Sequence, residues 1–102
     1  MITATITETQ LTITGHAGAG EYGHDIVCAG VSALVQAFKA GVENFTEDNV
    51  KTAVETRTGQ IQGFVWGHAP SEELKILIDT LWLGLTMIAN EFPQNVTVIT
   101  SG

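Results

Sequence analysis

Cys28 is the only cysteine in the chain, and it lies three residues after Asp25. Asp25 is a favourable N-cap for a helix predicted over 26–40, so we expect Cys28 in the first turn of that helix. Unpaired N–H groups and the positive end of the helix dipole favour a thiolate there, and the same N–H groups can hold the oxyanion of an attacked carbonyl. These surroundings suit a nucleophile, although most lone cysteines are small buried hydrophobic residues.

His16 is the best-placed base for such a nucleophile. It ends a predicted strand, and the loop that follows can bring its imidazole over the start of the helix. A cysteine nucleophile needs a base within hydrogen-bond reach of its sulfur, and an imidazolium partner also stabilises the thiolate. Taken alone, His16 fits a turn histidine bonded to backbone. Together with Cys28 it indicates nucleophilic acyl transfer, as in a cysteine protease.

Asp25 has two roles open to it, since it can orient the imidazole as a third catalytic residue or only cap the helix. Capping is the preferred interpretation. A metal site formed by His16, His24 and Cys28 is the other chemical alternative, but their spacing matches no common zinc pattern. We therefore expect no metal and no cofactor. His24 and His68 are interpreted as surface residues.

Alternation of apolar and polar residues predicts the strands that position these side chains. In the first pair, isoleucine, leucine and alanine alternate with threonine, which places the two kinds of residue on opposite sides of the sheet. A second hairpin is expected to turn at Thr58-Gly59. The predicted strands are 2–7, 11–14, 50–57, 60–66 and 95–100.

Apolar residues at helical spacing predict two helices. The first is expected to stop at Gly41 and to be followed by a polar connection over 42–49. The second is expected to begin at Ser71, with two acidic residues in its first turn, and to end before Pro93. The order β-β-α-β-β-α-β predicts a single α+β domain over 1–102, in which two helices pack on one face of a mostly antiparallel sheet.

The tripeptide Gly-His-Ala occurs at 15–17 and again at 67–69, each time between a predicted hairpin and a predicted helix. After the second copy the helix begins almost at once, whereas a longer glycine-rich loop follows the first. Connections that exceed their structural need are often binding loops. We therefore expect the first loop to contact substrate, and its glycines are Gly18, Gly20 and Gly23.

Ile76, Trp82, Leu83 and Met87 lie outside the main apolar stripe of the second predicted helix. A helix that is apolar on more than one face needs a second surface to bury it. Burial of the whole helix inside one small core is the alternative. We favour an interface between two copies of the chain.

Composition narrows the classes of partner. The net charge is −7 and only four residues are basic, so direct binding of nucleic acid is not expected, whereas a basic peptide would be attracted. No uninterrupted apolar run approaches the about 18 residues of a membrane span, so no membrane contact is expected. The first residues lack a signal sequence, and one cysteine cannot form an internal disulfide. We expect a cytoplasmic protein.

The stretch from Gly15 to Leu34 resembles the signature of the ribosomal-processing cysteine proteases (the Prp family). The resemblance covers about twenty positions, and the predicted order of elements covers the rest of the chain. Gly-His-Ala followed at this distance by Asp-Ile-Val-Cys-Ala is a specific motif. The matching residues are Gly15-His16-Ala17, Gly23 and Asp25-Ile26-Val27-Cys28-Ala29-Gly30-Val31-Ser32-Ala33-Leu34.

This resemblance implies a Cys–His peptidase that removes an N-terminal extension from a large-subunit ribosomal protein, number twenty-seven. Such a substrate is a basic precursor with aromatic residues before a small residue at the cleavage point. The resemblance implies that His16 and Cys28 are catalytic and that Asp25 is the family's aspartate. It further implies a homodimer, and a loop that moves when substrate binds.

Two other functions remain open. One is a non-catalytic dimeric module that grips a peptide or assists ribosome assembly. The other is the same protease chemistry directed at a phage structural precursor.

Overall fold

The fold is an α+β arrangement of one mixed sheet and two long helices, seen in a computed structural model that describes residues 1–15, 26–54 and 61–100. The predicted order of elements is confirmed. The elements are β1 (Ile2–Ile6), β2 (Gln10–Thr14), α1 (Ile26–Phe45), β3 (Lys51–Val54), β4 (Ile61–Val65), α2 (Glu72–Glu91) and β5 (Val96–Thr100). The turn expected at Thr58-Gly59 lies outside the described residues.

The sheet has the strand order β3-β4-β2-β1-β5. Three of its four neighbouring pairs are antiparallel, as the sequence predicted. The fourth pair is parallel, with Ile2 opposite Val96. It is parallel because α2 carries the chain from β4 back along the sheet before β5 begins. Strand β1 therefore lies between β2 and β5, and among the strands that the structure describes β3 and β5 form the two edges.

One face of the sheet supplies the core. The alternation in β1 and β2 turns Ile2, Ala4, Leu11 and Ile13 inward, and all four are buried. Threonines occupy the opposite side of the same strands and are only half-buried. Buried residues of both helices, together with Phe64 and Trp66, complete a single hydrophobic cluster.

The first helix is longer than predicted. It continues through Gly41 to Phe45, so both the stop at Gly41 and the polar connection over 42–49 were wrong. Gly41 is buried against α2, where a Cβ atom would lie 2.9 Å from Leu77 Cδ2. A glycine expected to end the helix instead allows the two helices to approach each other closely.

The second helix begins and ends as predicted. Ser71 is its N-cap, and the Ser71 hydroxyl accepts a hydrogen bond from the backbone N–H of Leu74 at 3.1 Å. Glu72 and Glu73 occupy the first turn, near the positive end of the dipole. The helix ends at Glu91, immediately before the Phe92-Pro93 turn.

Helix α1 is long enough to cross a membrane, and its mean hydropathy of 1.4 is high enough for a membrane-spanning helix. In this fold the side chains of Val27, Val31, Val35 and Phe38 form its buried stripe. A core helix needs such a stripe. Because 28% of the apolar window is buried in this fold, packing in the domain accounts for part of the composition.

Candidate active site

Cys28 lies in the first turn of α1, as predicted, and is half-buried. Its neighbours on the core side, Val27 and Val31, are only 2% and 4% exposed. These two valines fix the rotation of the helix about its axis. The position of the sulfur is therefore set by core packing and not by a surface loop.

The side of α1 that carries Cys28 faces away from α2. Gly30, Leu34 and Gly41 are among the residues of α1 that lie beside α2, and they share one flank of the helix. At about 100° per residue, Cys28 projects roughly 140° from the middle of that flank. Cys28 therefore lies on a different flank of α1 from these three residues.

The N-terminus of α1 points to one end of the sheet. Val42 and Glu43, in the other half of the helix, lie beside Val50 and Thr52 at the beginning of β3. That end of β3 pairs with the end of β4, which in turn pairs with the beginning of β2. Cys28 consequently lies toward the opposite end, where β2 finishes.

Strand β2 finishes at Thr14, and Gly15 follows in a left-handed conformation with φ of +92°. Gly15 is thus the last described residue before the predicted base. The site residues that we predicted between β2 and α1 lie outside the described residues. The pairing of His16 with Cys28 therefore stays a prediction. Those residues are His16, Gly18, Gly20, Gly23, His24 and Asp25.

The first turn of α1, residues 26–29, contains no acidic side chain. Within 1–15, 26–54 and 61–100, no three His, Cys, Asp or Glu side chains lie close enough to share a metal ion. Two members of the alternative metal site, His16 and His24, lie outside these ranges.

A second polar cluster, which the sequence analysis missed, joins Asp48, His68 and Ser71. The Asp48 carboxylate accepts hydrogen bonds from His68 Nε2 at 3.1 Å, from the Ser71 backbone N–H at 3.0 Å and from the Ser71 hydroxyl. The other ring nitrogen of His68 faces the Trp66 carbonyl oxygen. The His68 side chain is 40% exposed, so its surface location is confirmed, but its bonding was not foreseen.

This cluster, which we call the Asp48 network, favours an ionised Asp48 paired with a protonated His68. Hydrogen bonds from the Ser71 hydroxyl and backbone N–H hold the pKa of Asp48 below its usual 3.8. The hydrogen bond to Asp48, and then that to the Trp66 carbonyl, raise the pKa of His68 above its usual 6.5. Because both ring nitrogens face acceptors, only the imidazolium can donate to both. The network ties the start of α2 to the segment between α1 and β3.

We expect His68→Gln to destabilise the protein more at about pH 5.5 than at about pH 8.5. The pKa of His68 is raised, so its contribution is complete below 6.5 and is lost as the pH rises through the higher folded-state value. The pKa of Asp48 is lowered, so its contribution persists above 3.8 and is lost only at lower pH. Urea midpoints of both proteins at both pH values measure the effect. An equal loss at the two pH values would contradict it.

The Asp48 network lies at the far end of the sheet from Cys28. His68 lines an open concavity of about 500 Å³ together with Ala69, Pro70 and the β1–β2 turn at Glu8 and Thr9. The Trp66 indole N–H donates to the Glu8 carbonyl at 2.8 Å, which joins the turn to the β4–α2 connection. His68, in the second Gly-His-Ala motif, therefore helps to anchor the start of α2 through Asp48. No pattern in the sequence indicated Asp48 as its partner.

Known proteins with a similar sequence identify the family to which this site belongs. Residues 1–97 match the family described as cysteine protease Prp. The ribosomal processing cysteine protease Prp of Staphylococcus aureus is 29% identical over 88 residues, which are 86% of this chain and 82% of that protein.

Solved structures agree over nearly the whole chain. The S. aureus protease Prp with a covalently linked product peptide is 28% identical with a TM-score of 0.92, and the match covers 99% of this chain and 100% of that one. The same protease with a substrate peptide is 27% identical with a TM-score of 0.87, at 99% and 100% coverage. SMU.848 from Streptococcus mutans is 30% identical with a TM-score of 0.84, covering 99% of each chain. The chain therefore belongs to the cysteine protease Prp family, the family that its Gly-His-Ala and Asp-Ile-Val-Cys-Ala motifs predicted.

Proposed function

We propose that this protease removes the N-terminal extension of a large-subunit ribosomal protein, number twenty-seven, with Cys28 as nucleophile and His16 as base. The observation that carries the proposal is the placement of Cys28 in the first turn of α1, on a core helix of the fold. The S. aureus protease with this fold carries a covalently linked product peptide. A fixed sulfur at a helix N-terminus is the position from which such a bond forms.

The proposed reaction proceeds in two acyl-transfer steps. His16 accepts the thiol proton as the Cys28 sulfur adds to the scissile carbonyl, and N–H groups near the start of α1 hold the oxyanion. The carbon–nitrogen bond then breaks, and His16 gives a proton to the leaving amine. Water deprotonated by His16 attacks the thioester, which releases the new carboxylate and returns the proton to the sulfur. Asp25 caps the helix and so fixes the sulfur, and the glycines at 18, 20 and 23 let the loop move over the substrate.

Charge supports the proposed substrate. The chain carries 11 acidic residues against 4 basic residues, and a precursor of a ribosomal protein is basic. Because such a precursor is made and assembled in the cytoplasm, we place the enzyme there as well. Its lone cysteine suits that reducing compartment.

The experiment that tests the proposal is a cleavage screen with synthetic peptides. One set contains N-terminal segments of ribosomal precursors, and the other contains N-terminal segments of phage capsid and scaffold precursors. We expect cleavage within the ribosomal set, identified by the masses of both products, and none with Cys28→Ala. Cleavage confined to phage segments would leave the chemistry in place and overturn the substrate.

We further propose that the enzyme is a homodimer that pairs through the outer stripe of α2, formed by Ile76, Leu83 and Met87. These side chains are 64%, 62% and 64% exposed. At about 100° per residue they fall within roughly 40° of one another and opposite the buried stripe of the same helix. Exposing three aligned large apolar side chains to water is unfavourable in free energy, and a two-fold interface would bury the outer stripes of both protomers. Trp82, which was expected on this surface, instead packs against the core.

We expect Leu83→Glu to convert the dimer into a monomer, because it buries a carboxylate at the centre of the outer stripe. Lys75→Glu is the matched control, since it places the same residue at an exposed site of the same helix outside the stripe. Sedimentation velocity measures the mass of each variant. The proposal fails when the unmodified chain is a monomer, or when both variants remain dimeric.

A further inference from the structure

Gly15 occupies a position in which an L-residue with a side chain would be both strained and in collision with backbone. Its φ of +92° lies in the left-handed region, which strains any L-residue with a side chain. A Cβ atom on Gly15 would also lie 2.2 Å from the Met1 carbonyl oxygen and 3.3 Å from the Met1 carbonyl carbon. Both neighbours are backbone atoms, so no side-chain rotation can relieve the overlap.

The Met1 carbonyl is held in place from the other side. The Ile2 backbone N–H donates to the Asn95 carbonyl at 2.8 Å, and Ile2 is paired with Val96 in β5. The Ile2 side chain is buried in the core at 3% exposure. Thr14, at the end of β2, is likewise paired with Thr3 in β1 and Ile61 in β4. Because both the Met1–Ile2 peptide and Thr14 are held by neighbouring strands, a side chain at position 15 would displace Gly15 and the backbone that follows it.

Gly67, in the second Gly-His-Ala motif, provides an internal comparison. Its φ of +64° is also left-handed, but a Cβ atom there would meet nothing within 4 Å. Alanine would strain the backbone at both positions, and more at Gly15, whose φ lies further from the left-handed region that L-residues can adopt. Only Gly15 adds a collision with neighbouring backbone. A difference between alanine variants at the two sites therefore measures the tighter backbone constraint at Gly15.

We propose that Gly15 is a positioning residue for the protease reaction, because it lets β2 end against the Met1 carbonyl and so sets the path by which the chain enters residue 16. The proposal rests on the roles of His16 and Cys28 given under the proposed function. Displacing Gly15 and the backbone that follows it moves the base, whereas Cys28 stays fixed by the core packing of α1. Misplacement by about 1 Å between catalytic groups can lower the rate about 100-fold.

The test compares Gly15→Ala with Gly67→Ala in peptide cleavage. We expect kcat to fall about 100-fold in Gly15→Ala with KM changed less than about 3-fold, and both constants to stay within about 2-fold of wild type in Gly67→Ala. Circular dichroism and unfolding midpoints establish that both variants are folded. Equal kcat values for the two variants would overturn the proposal.

A second measurement separates positioning from general damage. If Gly15 acts through the base, Gly15→Ala should cause no further loss in a His16→Ala background, whereas a structural defect would lower the residual rate by the same factor in both backgrounds. Full activity of His16→Ala or Cys28→Ala would instead overturn the proposed function itself. The two failures are therefore distinguishable.

A chirality control keeps the proposal testable even when Gly15→Ala does not fold. The single cysteine permits ligation of a synthetic segment 1–27 to a segment that begins with Cys28. D-alanine at position 15 accepts a positive φ, and its methyl group takes the other hydrogen position of Gly15, not the one that meets the Met1 carbonyl. We expect the D-alanine protein to cleave within about 3-fold of wild type. A folded but inactive D-alanine protein would overturn the proposal.

Discussion

Replacing Cys28 with alanine should abolish peptide cleavage while it leaves the fold intact. The sulfur is the only atom proposed to form a bond with the substrate, so we expect a loss of at least about 1,000-fold in kcat/KM. The residue is only half-buried, so its truncation should cost about 1 kcal/mol or less in the free energy of unfolding. Cleavage assays and urea unfolding of the same preparation measure both quantities.

Cys28→Ser is the conservative partner of this variant. It keeps the size of the side chain, but a hydroxyl gives up its proton far less readily than a thiol, so cleavage should again be severely reduced. Iodoacetamide provides an independent readout in the wild type, because the chain has a single cysteine. A nucleophilic Cys28 should react faster at neutral pH than free cysteine. Slow alkylation would favour a non-catalytic binding module. Full cleavage by either variant would show that Cys28 is not the nucleophile.

The largest loss of stability is expected from Phe64→Ala. Phe64 is 1% exposed on β4, and its ring meets that of Phe38 edge to face, with centroids 5.0 Å apart and planes at 75°. Removing the ring takes away a contact between the sheet and α1 and leaves a cavity, which should lower the free energy of unfolding by about 3–5 kcal/mol. That is a large share of the about 5–15 kcal/mol that holds a typical domain together.

Phe45→Ala is the matched control for this variant, since the same ring is 71% exposed at the end of α1. It should change the free energy of unfolding by less than about 0.5 kcal/mol. Urea titration should show a lower midpoint for Phe64→Ala with an unchanged slope, which indicates that the same surface is exposed on unfolding. Similar midpoints for the two alanine variants would show that the ring pair does not join sheet and helix.

Local sequence predicted much of this fold because its signals are short-ranged. Alternation with threonine specified β1 and β2, and Ser71 followed by two glutamates specified the start of α2. The placement of Cys28 in the first turn of α1 followed from Asp25 as the expected N-cap and from the apolar periodicity after it. The order of elements followed from these same features, whereas the resemblance to the family was carried by the Gly-His-Ala and Asp-Ile-Val-Cys-Ala motifs.

What the sequence could not predict depends on residues far apart in the chain. Gly41 reads locally as a helix stop, and only Leu77 on the other helix shows that it is a packing site. The parallel pairing of β5 beside β1 is set by the path of α2 over the sheet. His68 has no local pattern that indicates its bond to Asp48, twenty residues before it.

The position of β1 between β2 and β5 has a consequence for biosynthesis. Its partner strand begins at Val96, so a chain still being synthesised lacks one neighbour for β1 until β5 has emerged from the exit tunnel of the ribosome. Until then β1 presents an unpaired edge, and closure requires contact between distant parts of the polypeptide, which slows folding. The enzyme should therefore mature only after translation of residue 100, so its own synthesis delays the onset of its activity.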